Sequence, residues 1–108
     1  MKYYDIFIQD IKNNIDLDKI LNLCLKGSKY KVEDVKSKLR KRELVCIRQA
    51  FFLVCLERKK NVYTDKYSLT RIGKFLNRTH ATVLHSKNNS HYTEISTIVN
   101  RVLKELEI

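Results

Sequence analysis

An all-α fold, a single helical domain of five to seven helices, is what this chain of 108 residues predicts. Three observations carry that expectation. Proline is absent and glycine occurs only at Gly27 and Gly73, which disfavours hairpin-rich β folds. Apolar residues recur every three or four positions in several stretches. The hydrophobic share, 44%, is that of a globular protein, and the length suffices for one modest core.

The elements follow in order. Tyr4, Ile8, Ile11 and Ile15 share a helical face and predict an amphipathic N-terminal helix within residues 1–16. Asp16 is placed to cap a second helix, whose stripe of Leu17, Ile20, Leu21 and Cys24 runs out at Gly27. A short helix is expected at Val32–Lys38, with Glu33 and Asp34 in the first turn, where negative charge meets the positive end of the helix dipole. A long helix from about Glu43 to Lys59 is apolar nearly all round, so it should be the central, most buried element. The charged stretch "RKKNVYTDKY", residues 58–67, reads as an exposed loop. Ser68 is the expected N-cap of "SLTRIGKFL", with Leu69, Ile72 and Phe75 or Leu76 turned inward. A tight turn at Asn77-Arg78 leads to Thr79, the expected cap of a helix from His80 to about Asn89, anchored by Val83 and Leu84. A last amphipathic helix spans about Thr93–Glu107 and turns Ile95, Ile98, Val99, Val102, Leu103 and Leu106 inward.

Charge narrows the partner. Lys plus Arg number 22 against 12 Asp plus Glu, a formal net charge of +10 with a pI near 9.7. So basic a small domain repels itself unless it sits beside an anion, of which nucleic acid is the commonest and an acidic membrane the second. The run "KSKLRKR", residues 36–42, concentrates that charge. Cys24, Cys46 and Cys55 are odd in number and lack metal-type or disulfide-framework spacing, so they read as small core hydrophobes in a reducing, cytoplasmic setting. His80 and His85 stand five apart, not at the i, i+4 spacing of a helical metal site, so no metal is expected. No catalytic residue, cofactor, secretory leader or membrane span is read from the chain.

A short helix, a tight turn, and a second helix opening on small polar residues make a helix-turn-helix over about residues 68–89. In that motif the start of the second helix meets base edges in the major groove. Ala81 and Thr82 permit the close approach that a long side chain would prevent. Thr hydroxyls and His rings exchange hydrogen bonds with bases, and Ala or Thr methyls touch the thymine methyl.

"THATVLHS" resembles "DH[ST]TV[LI]HA", the signature of the C-terminal DNA-binding domain of the bacterial replication initiator DnaA. "SLTRIGKFLNR", "RKRELVCIRQAFFLV" and "YKVEDVKSKLRKR" are similar to further stretches of that domain in the same order, so the likeness spans about residues 17–104. The resemblance implies a Trp-repressor-like helix-turn-helix, in a domain over residues 17–108, and double-stranded DNA as the partner. It implies that His80, Thr82 and His85 face the major groove and adjoining phosphates, with Arg78 beside them. It places Arg40 where the family inserts an arginine into the minor groove, Arg48 near the DNA backbone, and Ser68 and Leu69 where backbone N–H groups hold a phosphate. Lys41 and Arg42 join Arg40, Arg48 and Arg78 as the expected phosphate contacts, while Thr79, His80, Ala81, Thr82 and His85 are expected to discriminate sequence. Thr79 replaces the family's aspartate, Ala81 replaces Ser or Thr, and the turn is one residue shorter, so the family's preferred site does not carry over unexamined.

With no GxxxxGK[ST] stretch the family's ATPase is not expected, nor a nucleotide partner. The reading is a non-enzymatic DNA-binding module, a monomer on DNA, serving replication initiation or its control, with a phage or plasmid as a natural source. The alternatives are a transcriptional regulator of the same type, an RNA-binding helical protein, and a basic protein-interaction module.

Overall fold

The structure, a computed structural model, describes residues 17–61, 68–89 and 91–106. The expected N-terminal helix, the Asp16 cap and residues 62–67 lie outside the described residues. Among the described residues there are six α-helices: α1 (Leu17–Leu25), α2 (Val32–Lys36), α3 (Arg42–Asn61), α4 (Leu69–Phe75), α5 (His80–His85) and α6 (Thr93–Leu106). A 3-10 turn, Ser86–Asn89, extends α5, and no strand occurs among the described residues.

The central element is α3, which touches each of the five other described helices and the 3-10 turn. It buries Leu44, Phe51, Phe52, Val54 and Cys55, with the Phe51 ring stacked on Phe75 of α4 at 5.5 Å. Its apolar residues point almost all round because partners lie almost all round. The helix begins one residue earlier than expected and runs on to Asn61, so the start of the charged 58–67 stretch is helical, not loop. Polar composition marks exposure; it does not by itself end a helix that packing supports.

Two helix ends are closed by arginines from neighbouring elements. At the end of α1, Arg101 of α6 donates from Nη2 to the Leu23 carbonyl at 2.7 Å, and Gly27 takes the left-handed turn at φ 86°. At the start of α2, the Asp34 carboxylate accepts from the Lys31 backbone N–H at 2.9 Å. The end of this five-residue helix is closed by its own Ser37, whose N–H and hydroxyl both reach the Asp34 carbonyl, and by side chains from elsewhere: Arg48 reaches the carbonyls of Asp34, Val35 and Ser37, and Asn77 that of Lys36. So short a helix cannot stand on its own propensity, and these contacts tie it to α3 and to the turn after α4.

On α6, Ile95, Val102 and Leu106 are buried, whereas Ile98, Val99 and Leu103 are partly buried against the same core. Cys24 and Cys55 lie in the core as expected. Cys46 does not: it is partly exposed and its thiol donates to the Glu94 carboxylate at 3.4 Å.

Candidate nucleic-acid interface

Three residues set the start of α4 and its crossing with α5. Ser68 caps α4, its hydroxyl accepting from the Arg71 N–H at 3.3 Å. At the other end Asn77 takes a left-handed conformation, φ 59°. Its N–H bonds the Lys74 carbonyl at 3.0 Å, and the Arg78 N–H reaches back to the Gly73 carbonyl at 2.8 Å, which is a Schellman closure. Gly73 permits the crossing itself. A Cβ there would sit 2.7 Å from the Arg78 carbonyl oxygen and 3.0 Å from the Thr79 backbone, closer than atoms pack. The two short helices therefore meet backbone to backbone.

Thr79 then caps α5. Its Oγ1 accepts from the Thr82 N–H at 3.4 Å and lies 3.2 Å from the Thr82 hydroxyl. Val83 is fully buried beneath the helix, and Ser86 ties its hydroxyl to the Val83 carbonyl at 2.6 Å where the backbone tightens into the 3-10 turn. Thr79, His80, Ala81, Thr82 and His85 are all exposed, so the helix presents its leading end outward. His85 lies 3.5 Å through Nδ1 from the Asn88 amide, one turn further along. Leu84 differs from expectation: it is 42% exposed rather than an anchor, and Val83 alone pins the helix.

Beside this tip lies a groove of ≈ 440 Å³. Its walls include Lys38, Arg40, Arg48, Asn77, Arg78 and Thr82, over a floor of Val45, Gln49 and Phe52. Four cations and the first turn of α5 thus line one surface. Lys41 is exposed in the segment leading into α3, next to Arg40.

The cations are not equivalent. Arg40 and Lys41 are exposed. Arg78 is partly buried, with Nη1 on the Leu76 carbonyl at 2.8 Å and Nη2 on the Ser37 carbonyl at 2.8 Å. Arg48 stands apart from the expectation of a phosphate contact: it is only 6% exposed and gives Nε and Nη2 to three carbonyls of the chain at 2.7–3.1 Å. Burial, then the nearby Arg78 and Arg40, lower its pKa. Arg42 also differs, being engaged in an exposed, two-pronged ion pair with Glu94. Ser68 and Leu69 are partly buried at the start of α4.

Lys38, Gln49, Asn77 and Leu84 were missed by sequence reasoning. Lys38 lay within the basic run and Gln49 next to Arg48, so their neighbours signalled both. Asn77 was expected in the tight turn but not at the groove, and the outward face of Leu84 depends on helix rotation, which no residue pattern displays. Among the described residues no cluster of three or more His, Cys, Asp or Glu side chains gathers as a metal site. Nor is any helix among them long and apolar enough to cross a membrane.

A capped two-helix crossing, with a small-residue tip exposed beside a cationic groove, defines a module of the helix-turn-helix class. The chain belongs to the family described as the bacterial dnaA protein helix-turn-helix, which matches residues 17–89. It is also 35% identical over 95 residues to the chromosomal replication initiator protein DnaA of Bacteroides thetaiotaomicron, an alignment covering 86% of this chain and 19% of that protein. No solved structure matches the chain significantly.

Proposed function

We propose that this chain binds double-stranded DNA with sequence preference and serves replication initiation or its control. The observation that carries the proposal is the exposed tip of α5, seated next to four groove-lining cations, in a member of a DNA-binding helix-turn-helix family. The relative's name, chromosomal replication initiator protein, is the support for the replication role. A regulator of transcription would read DNA through the same surface.

The chemistry divides by position. Lys38, Arg40 and Lys41, with what Arg78 can spare, meet phosphates and supply affinity without reading sequence. Arg40 lies on the loop and is suited to a narrow, AT-rich minor groove, where negative potential is concentrated. Thr79, His80, Ala81, Thr82 and His85 read the major groove, and the exposed Leu84 adds an apolar surface for thymine methyls. Arg48 acts at one remove, holding the α2 end and the basic segment against the turn.

Selection of bound oligonucleotides from a random duplex pool tests the reading. A recurrent sequence is expected, and His80→Ala or Thr82→Ala should flatten the preference by about 1–3 kcal/mol per lost base contact. Arg40→Ala should instead weaken binding to all duplexes, except for the few positions a minor-groove arginine senses. An unenriched pool, or equal binding of single-stranded RNA, contradicts the proposal.

A further inference from the structure

Two stretches of the sequence hold no Asp or Glu: residues 35–42, which include the basic run, and residues 66–93, which include the whole helix-turn-helix. Glu94 is the first carboxylate beyond the second stretch, and it closes onto the last arginine of the first. Arg42 Nη2 lies 2.6 Å from Glu94 Oε1 and Nε lies 3.0 Å from Oε2, a two-pronged contact between side chains 80% and 54% exposed. The surrounding shallow groove is lined in part by Val45 and Gln49, which also floor the cationic groove next door. Arg42 is therefore at the border of the proposed DNA surface, and its phosphate-binding face is already filled by a carboxylate.

We propose that Glu94 competes with DNA phosphate for Arg42: it holds the guanidinium in the free protein and yields it when a duplex binds. A phosphate offers the same two-pronged acceptor geometry as a carboxylate, so the exchange requires little rearrangement of the arginine. Solvent-exposed pairs are weak and screened, so Glu94 moderates affinity instead of blocking it. The carboxylate also keeps a partner after release, because the Cys46 thiol already donates to Oε2 at 3.4 Å. This inference rests on the DNA-binding reading.

The test is a double-mutant cycle read by duplex affinity, using a DNA of fixed sequence at fixed salt. Glu94→Gln should bind about two- to fivefold tighter than the unmodified chain, the range expected for release from an exposed pair. In an Arg42→Ala background the gain should fall to the general charge effect that a distant carboxylate gives. Glu33→Gln, which alters net charge equally at an exposed position of α2, should give a smaller gain that survives Arg42→Ala. Far-UV circular dichroism checks folding. Should Glu94→Gln unfold, Glu94→Asp carries the cycle, since it keeps the first-turn charge of α6 while shortening the reach to Arg42. No gain, or an equal gain with Ala at 42, overturns the proposal. If every variant binds duplex and Glu94 is silent, only this inference falls; if none binds duplex, the DNA reading falls and this one with it.

Discussion

Thr79 shows how one side chain can serve the fold and leave recognition open. Its hydroxyl caps α5, a task that Asp performs at least as well, so Thr79→Asp should preserve stability. A carboxylate there accepts from the cytosine amino group where a hydroxyl has no fixed bias, and the variant should shift preference toward cytosine at one position by about 1–3 kcal/mol. Binding to a panel of single-base duplex variants measures that shift. Arg48 is the opposite case, a cation whose type suggested phosphate and whose neighbours are carbonyls. Arg48→Lys keeps the charge but cannot match the planar fork, and should lower unfolding free energy by about 1.5–3 kcal/mol in a denaturant titration. The cysteines divide similarly. Burial pushes the Cys24 thiol up to about 12 and Cys55 well above its ordinary value, while Cys46 is raised by burial first and then by its hydrogen bond to Glu94. Maleimide should therefore label Cys46 first, and Glu94→Gln, by removing the negative charge beside the thiol, should lower the Cys46 pKa and speed labelling at a fixed pH below it. Unchanged Cys46 reactivity would show that the carboxylate does not govern the thiol.

Elements were read most reliably where a cap or a one-sided apolar stripe marked them. Ser68 and Thr79 located the starts of α4 and α5, and the stripe of α6 located its buried face. The end of α3 was misplaced because a charged surface continues a helix as readily as it forms a loop. Leu84 was misplaced because the pair Val83-Leu84 shows apolarity and not rotation; on this short helix Val83 faces the core and Leu84 turns outward. Gly73 was silent in the sequence, since nothing in "RIGKF" reveals that another backbone will cross there. Gly73→Ala should force α4 and α5 apart, costing about 1–3 kcal/mol in thermal or chemical unfolding, and should weaken duplex binding beyond the loss of stability by displacing the α5 tip. An alanine variant with unaltered stability and affinity would mean that the crossing has slack.

The whole molecule places an apolar hub, α3, under a surface whose charges are sorted by sequence. The five other described helices pack on that hub, while the carboxylate-free stretches 35–42 and 66–93 send Lys38 and Arg40, and Asn77, Arg78 and Thr82, to the cationic groove. The net charge of +10 made an anionic partner legible from composition, and the quoted motifs pointed to the family. Which cations are free was not legible, because residue type does not distinguish the exposed Arg40 from the carbonyl-bound Arg48 or the paired Arg42. The most direct test is duplex affinity as a function of salt, for the unmodified chain and for Arg40→Ala and Arg48→Lys. Log K should fall linearly with log salt at a slope of about −3 to −5, and Arg40→Ala should make the slope shallower by about one. Arg48→Lys, in conditions where it is folded, should leave the slope nearly unchanged. Binding that ignores salt, or a slope that responds to Arg48 and not to Arg40, would contradict the account.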